Sequence, residues 1–295
     1  MNASRQAQKL VLGTAQFGLP YGISNTDGQT PQAEAKAILD LAKQAGIDLI
    51  DTAIAYGDSE RVLGKLGMTD WQIITKLPKV PDSCDSVSEW VQKQINGSLQ
   101  RLRLNRIAGL LLHSPTQLLE PFGEELYRAL VDQKAEGLVD KIGISIYGPS
   151  ELDALPGHMT LDIVQAPANV LDTRMRCSGW AARLKDAGCE FHARSVFLQG
   201  LLLMRPADRP AQFQRWETLW QAWDTWLTVH GLTALQACVR YAFQESEADR
   251  LVIGIVNAKQ LSEILEAIDG PLPELPIELH TGDLALLNPA AWGTR

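Results

Sequence analysis

Cysteine is scarce in this chain of 295 residues: four, at Cys84, Cys177, Cys189 and Cys238, scattered and without CxxC spacing. That pattern argues against a disulfide framework and a structural zinc site, and for a reducing, cytoplasmic setting. Long apolar runs are missing too. No stretch of 18 apolar residues occurs, so no transmembrane helix and no membrane partner are expected. The first nine residues, MNASRQAQK, lack the apolar segment of a signal peptide. Positive charge is in deficit, with 27 Lys+Arg against 35 Asp+Glu and a net charge of −8. An acidic surface repels phosphate backbones, which argues against a nucleic-acid partner. The histidines, His113, His158, His192, His230 and His280, are dispersed with no HxH or HExxH spacing, so no metal is expected.

What is present is ordinary globular material, 45% hydrophobic and 21% charged, enough for a sizeable core. Short apolar or β-branched runs recur at 10–14, 48–53, 71–76, 107–113, 140–145, 162–167, 190–196 and 250–256. Their near-continuous apolar character suits strands buried on both faces. Amphipathic patterns follow at 32–46, 59–67, 87–104, 124–137, 149–156, 178–188, 234–245 and 257–268. Gly46 is placed to end the first helix through positive φ, and Ser59 and Asn257 are candidate N-caps. Strand–helix units in series imply a parallel sheet with right-handed crossovers. The expectation is α/β: a single (β/α)8 TIM barrel over residues 1–295. The competing open, doubly wound sheet predicts a GxGxxG turn after the first strand. The sequence there is TAQFGLPYG, which does not match.

Residues 197–233 form the longest connection. Phe213, Trp216, Trp220, Trp223 and Leu227 fall at helical spacing within it. This predicts an extra helix between strand 7 and helix 7, packed on the barrel. Its Trp-bearing face is also the one candidate partner surface; the oligomeric state itself cannot be read. The Pro- and Gly-rich tail 269–295 is expected to fold back over one barrel mouth.

In such a barrel chemistry sits at the carboxyl ends of the strands. The second strand ends at Asp51, with Tyr56 five residues on; the third ends at Lys76 and the fourth at His113. These four groups should converge on one side of one mouth. Lys76, drawn inward by its apolar run, needs a counter-charge, and Asp51 is the natural partner. A nearby ammonium lowers a phenol's pKa, so Tyr56 is expected to release a proton near neutral pH to a developing alkoxide, with His113 orienting the same oxygen. No activated Ser or Cys nucleophile and no glycosidase-like carboxylate pair accompanies them. No side chain supplies hydride, so a nicotinamide cofactor is implied.

These residues resemble the aldo-keto reductase superfamily. The matching pieces are GTAQFG (13–18), DTAIAYGDSE (51–60), ITK (74–76), LLLHSP (110–115), KIGIS (141–145), QAPANVLDTR (165–174), QGLL (199–202), HGLTALQA (230–237) and VIGIVNAKQLSE (252–263), in family order. The resemblance implies a barrel that binds NADP(H) across the carboxyl-end mouth and reduces aldehydes or ketones. Carried over by position, Asp51, Tyr56, Lys76 and His113 are the catalytic set, with Tyr56 the acid. Thr14, Asp51, Ser145 and Gln165 are cofactor-binding positions, the last two for the nicotinamide carboxamide. Ser195, Val196, Phe197, Leu198 and Gly200 match the loop over the pyrophosphate. Gly254, Asn257, Gln260 and Glu263 match the segment around the adenosine and its phosphate.

Three positions depart from the pattern. Ile146 stands where many members have Asn. Arg194 stands where many have an aromatic ring stacked on the nicotinamide, a task a guanidinium plane can also do. Around the expected 2′-phosphate the nearest cation is Lys259; NADP is therefore favoured by the resemblance, and NAD is not excluded. Substrate-lining candidates are Phe17, Tyr21, Tyr56, His113, Tyr147 and Trp292, for a sugar or other small carbonyl compound. Two other readings stand beside this one: a nucleotide-bound, non-catalytic sensor subunit, and an unrelated barrel lyase using Lys76 as a Schiff base.

Overall fold

The computed structural model describes residues 6–292. Residues 1–5 and 293–295, and with them both ends of the single-domain expectation and the start of the polar N-terminal stretch, lie outside the described residues. Eight parallel strands close into a barrel in chain order: β1 (Leu10–Gly13), β2 (Leu49–Asp51), β3 (Gln72–Leu77), β4 (Ile107–Leu112), β5 (Val139–Ser145), β6 (Ile163–Pro167), β7 (Glu190–Arg194) and β8 (Arg250–Gly254). β1 pairs with both β2 and β8, so Gly13 lies opposite Asp51 on one side and Gly254 on the other. Closure leaves no strand edge unpaired and rules out the open sheet.

The principal helices are α1 (Gln32–Ala45), α2 (Ser59–Leu66), α3 (Val87–Leu102), α4 (Gly123–Ala135), α5 (Ser150–Asp153), α6 (Trp180–Asp186), α7 (Glu217–His230), α8 (Ala234–Gln244) and α9 (Ala258–Ala267). Gly46 ends α1 at φ 87°, and Asn257 caps α9 by accepting from the Gln260 amide at 2.9 Å. Ser59 is not a cap. Asp58 holds that position, and the Ser59 hydroxyl turns inward instead. α5 is shorter than its pattern because Pro156 and Gly157 interrupt the run.

Two cores divide the barrel. Ala35, Ile38, Leu39 and Ala42 of α1 and the outward residues of the strands, such as Leu12 and Ile50, fill the layer between sheet and helices. A smaller cluster of Val11, Leu49, Ile74, Leu111 and Ile163 fills the interior.

α7 is the extra helix, entered through a 3-10 turn over Ala211–Trp216 that takes up the first part of the predicted pattern. Its face is not a partner surface. Trp220, Trp223 and Trp226 are buried together with Leu198, Leu201 and Leu202 after β7, Leu279 and Leu286 of the tail, and Cys238 of α8. The tail thus covers α7 rather than the substrate side of the mouth. Trp292 sits edge-on against Phe213 at 4.9 Å between centroids and donates to Leu286 O at 3.1 Å. Among the described residues no helix is long and apolar enough to cross a membrane.

Trp223 is fully buried, stacks on Trp226 at 5.8 Å, and donates to Leu202 O at 3.3 Å. Trp223→Ala is expected to lower the unfolding free energy by about 3–5 kcal/mol in a denaturant titration. A loss under about 1 kcal/mol would show that this cluster is not part of the cooperative fold.

Candidate active site

Side chains alternate along a strand, and that rule assembles the site. Val11, Leu49, Ile74, Leu111 and Ile163 point into the barrel. Two residues further on, toward the carboxyl ends, stand Gly13, Asp51, Lys76, His113 and Gln165. On β7, Phe191 and Ala193 face the outer core, which leaves Glu190, His192 and Arg194 for the inner face. The polar groups therefore cap an apolar plug, where water is scarce and charges must be matched.

They are matched through Asp51. Lys76 Nζ donates to Asp51 Oδ1 at 2.5 Å and to Thr52 O at 3.0 Å. Gln165 Nε2 donates to the other carboxylate oxygen at 2.8 Å, and Ser145 Oγ reaches Gln165 Oε1 at 3.3 Å. Lys76 is 1% exposed and lies beneath the cleft rather than in its wall. A Schiff base needs an amine that substrate can reach, and this one is enclosed and ion-paired.

Tyr56 is placed by the β2–α2 loop. The turn at Gly57 (φ 54°) packs against the one-turn helix Ala15–Gly18, and a Cβ on Gly18 would fall 1.8 Å from Tyr56 O. Below, Ser59 Oγ contacts Thr14 O and Thr14 Oγ1, both at 2.9 Å, and Thr52 Oγ1 at 3.1 Å. Glu60, also buried, accepts from Thr75 Oγ1 at 2.7 Å, Ser98 Oγ at 2.9 Å and Arg101 Nε at 2.7 Å. The start of α2 is thereby fastened to β1, β3 and α3, and Tyr56 cannot move independently of the strand ends.

The Tyr56 ring has Lys76 Nζ 5.2 Å from its centroid and meets the His113 ring edge-on at 5.9 Å. The expected lowering of the phenol is not found. Burial, and then the Asp51 charge, push its pKa above the ordinary tyrosine value, with Arg194 opposing. Burial is the largest of these influences, and the Lys76 ammonium lies over the face of the ring. Lys76 itself is drawn below the ordinary lysine value by burial, against the pull of Asp51. His113 is lowered to about 4 by burial and then by the Lys76 charge, so it is a neutral imidazole at pH 7.

A cleft of about 740 Å³ opens at this mouth, a size typical of small-molecule sites. Its wall includes Thr14, Asp51, Tyr56, His113, Ser145, Gln165, Arg194, Ser195, Val196, Phe197, Gly200, Gly254, Gln260 and Glu263, with Tyr21 and Tyr147 at the rim. Besides Lys76, four expected positions lie outside the wall. Phe17 is turned into the outer core by its one-turn helix. Leu198 is buried under α7. Asn257 spends its side chain on the α9 cap. Trp292 packs on Phe213. Arg194 lies 4.8 Å from the Tyr147 ring centroid.

Several wall residues lie outside the expected set: Gln16, Asp27 and Thr233. The Asp27–Gly28 turn, held by Asn25 Oδ1 accepting from both amides at 3.0 and 3.1 Å, has a readable turn signal in its Asn, Asp and Gly. Gln199, within the expected loop 195–200, also reaches the wall, on a left-handed backbone (φ 53°) that glutamine rarely adopts.

The wall also fits an extended polar ligand such as a nicotinamide dinucleotide. Gln16 Oε1, on a residue of this wall, is buried without a partner. At Gly254 a Cβ would meet Gln16 Nε2 at 2.8 Å, so a side chain there would displace the Gln16 amide.

Comparison with known proteins agrees with this geometry. The model of the Aldo/keto reductase family matches residues 9–279. The D-threo-aldose 1-dehydrogenase of a Pseudomonas species is 25% identical over 90% of this chain and 93% of its own. The L-galactose dehydrogenase of Arabidopsis thaliana is 25% identical over 82% and 80%. An aldo-keto reductase of Bacillus halodurans, solved in its holo form, superposes with a TM-score of 0.70 over 90% of this chain and 88% of that one, at 20% identity. A barrel whose strand ends carry this linked set of carboxylate, ammonium, phenol and imidazole, matched by that family model over most of its length, belongs to the aldo/keto reductase family of oxidoreductases.

Proposed function

We propose that this chain is an NAD(P)H-dependent oxidoreductase that reduces an aldehyde or ketone to an alcohol, with Tyr56 as the general acid. The observation that carries this reading is the phenol of Tyr56 in the cleft wall, beside a neutral imidazole and above the Asp51–Lys76 pair. A bound nicotinamide dinucleotide supplies hydride. Ser145 and Gln165 would hold its carboxamide. Residues 195–200, Gln260 and Glu263 would hold the rest.

Tyr56 keeps its proton until a stronger base appears, since burial and Asp51 disfavour the phenolate. An alkoxide forming on the substrate carbonyl is such a base, and the phenol delivers its proton there. His113, neutral and therefore carrying a single ring N–H, donates that hydrogen to the same oxygen and orients the carbonyl. Lys76 receives the developing phenolate charge, and Asp51 keeps the ammonium in place. The bound-nucleotide sensor reading differs in one outcome, binding without turnover.

Two relatives named for sugar oxidation support a sugar or small carbonyl substrate, and four free cysteines suit the reducing cytoplasm. NADP(H) is the family's expectation for the cofactor. The wall of this cleft includes Asp27 and Glu263, and Lys259 Nζ lies 3.6 Å from Glu263. One cation among carboxylates gives little selectivity for a 2′-phosphate. NADPH and NADH are expected to bind within about tenfold of each other in a fluorescence titration. A hundredfold preference either way, about 2.7 kcal/mol, would refute that balance.

Turnover is read as loss of reduced-nicotinamide absorbance over a carbonyl panel. Tyr56→Phe is expected to reduce it by about 10²–10⁴-fold with nucleotide affinity retained; wild-type rates in that variant would remove Tyr56 from its role.

The pH dependence follows from His113. Its folded value of about 4 lies below the ordinary 6.5, so the unfolded chain binds this proton more readily. The stability it contributes is complete above about pH 6.5 and is lost as pH falls to about 4. The acid limb of kcat/KM assigned to this group should accordingly centre near pH 4, and an imidazole signal titrating near 6.5 by NMR would contradict the neutral donor.

A further inference from the structure

Arg194 is the one lysine or arginine among the described residues of the cleft wall. Its recorded partners are neutral: Nη1 donates to Ser195 Oγ at 3.2 Å, Nη2 to Ile146 O at 2.9 Å. Its Nε is buried and has no acceptor. Other inward-turned arginines are answered by carboxylates, Arg101 by Glu60 at 2.7 Å and Arg174 by Asp172 at 2.7 Å. Arg240 lacks a carboxylate too, but it staples the tail through Ala267 O and Pro271 O, away from the cleft. Only Arg194 brings an uncompensated guanidinium to the wall of a ligand site, where an unpaired charge is costly.

The direction of the side chain says which ligand it awaits. The bond to Ile146 O and the stack on the exposed ring of Tyr147 lean it toward the β5 loop and away from β8 and α9. It lies close enough to Tyr56 and His113 to act on both electrostatically. Asp27, on the loop after β1, and Glu263, on α9, belong to the same wall.

We propose that Arg194 is a specificity-determining residue that binds an anionic group, carboxylate or phosphate, carried by the carbonyl substrate, with the substrate's carbon skeleton resting on Tyr147. A guanidinium forms paired, charge-assisted hydrogen bonds with either anion. This assignment rests on the carbonyl-reductase reading and narrows it to acid-bearing carbonyl compounds, sugar acids and sugar phosphates among them. It also reassigns Arg194 from the expected stack on the nicotinamide.

The test uses matched pairs: 4-oxobutanoate against butanal, and glyceraldehyde 3-phosphate against glyceraldehyde. In the wild type the anionic member of at least one pair should have the higher kcat/KM by about tenfold or more. Arg194→Gln should shrink that ratio about tenfold, chiefly through KM, and Arg194→Lys should restore part of it. Which pair responds separates carboxylate from phosphate. Nucleotide affinity is titrated alongside; if Arg194→Gln weakens it and depresses both members of a pair equally, the cation serves the dinucleotide and the proposal falls. Wild-type ratios near one overturn it as well.

Calorimetric binding of butanoate and of inorganic phosphate to the nucleotide-loaded protein needs no turnover. If no carbonyl is reduced, binding of either anion that Arg194→Gln abolishes still supports the anion site while the reductase reading fails. No binding of either ends both.

Discussion

Asp51 and Lys76 sit inside the barrel, where neither charge is tolerable alone. Removing one partner of such a pair costs about 3–5 kcal/mol, because the other is left uncompensated. Their 2.5 Å contact therefore imposes a register. Asp51 is opposite Ile74 across β2 and β3, and Lys76, two residues further along, reaches back over the pleat to meet it. The second carboxylate oxygen is taken by Gln165 from β6, so one side chain ties three strand ends together. Tyr56 rests on that pair, with the Lys76 ammonium over the face of its ring.

The loop after β7 shows a second constraint. Ser195, Leu198 and Gln199 all hold positive φ (57°, 47° and 53°), a strain of about 1–3 kcal/mol at each residue. It is sustained by Asn169 Nδ2 donating to Ser195 O at 3.0 Å and by Gln199 Nε2 donating to the Tyr21 hydroxyl at 3.0 Å. The latter contact joins the β1 and β7 loops. Strain tolerated in the wall of a cleft, and braced from both sides, is spent on shaping that wall.

Much of the barrel is legible because its signals are local. Each buried strand is a short run such as DLIDTA or WQIITK, and each helix carries its own caps and stripe, as Gly46 and Asn257 show. Asp51, Lys76 and His113 are legible because strand ends are where polar residues break apolar runs. Phe17 and Trp292 were misplaced for a common reason: an aromatic residue in a loop reads the same whether it faces a ligand or a core. Ser59 illustrates the same limit, since a hydroxyl at a helix start serves equally as a cap or as a link to Thr14.

The pKa of Tyr56 marks the boundary most clearly. Residue types predict a phenol beside an ammonium paired with a carboxylate; only the fold shows that the ammonium addresses the ring and how deeply the phenol is buried. Sequence by itself determined the alternation of eight strands and helices, the polar residues at the strand ends and the family, because these depend on periodicity and on order along the chain. Tertiary structure decided which aromatics meet the cleft, which way Arg194 leans, what α7 packs against and how each proton is held, because those outcomes depend on distances between residues that the chain brings together only by folding.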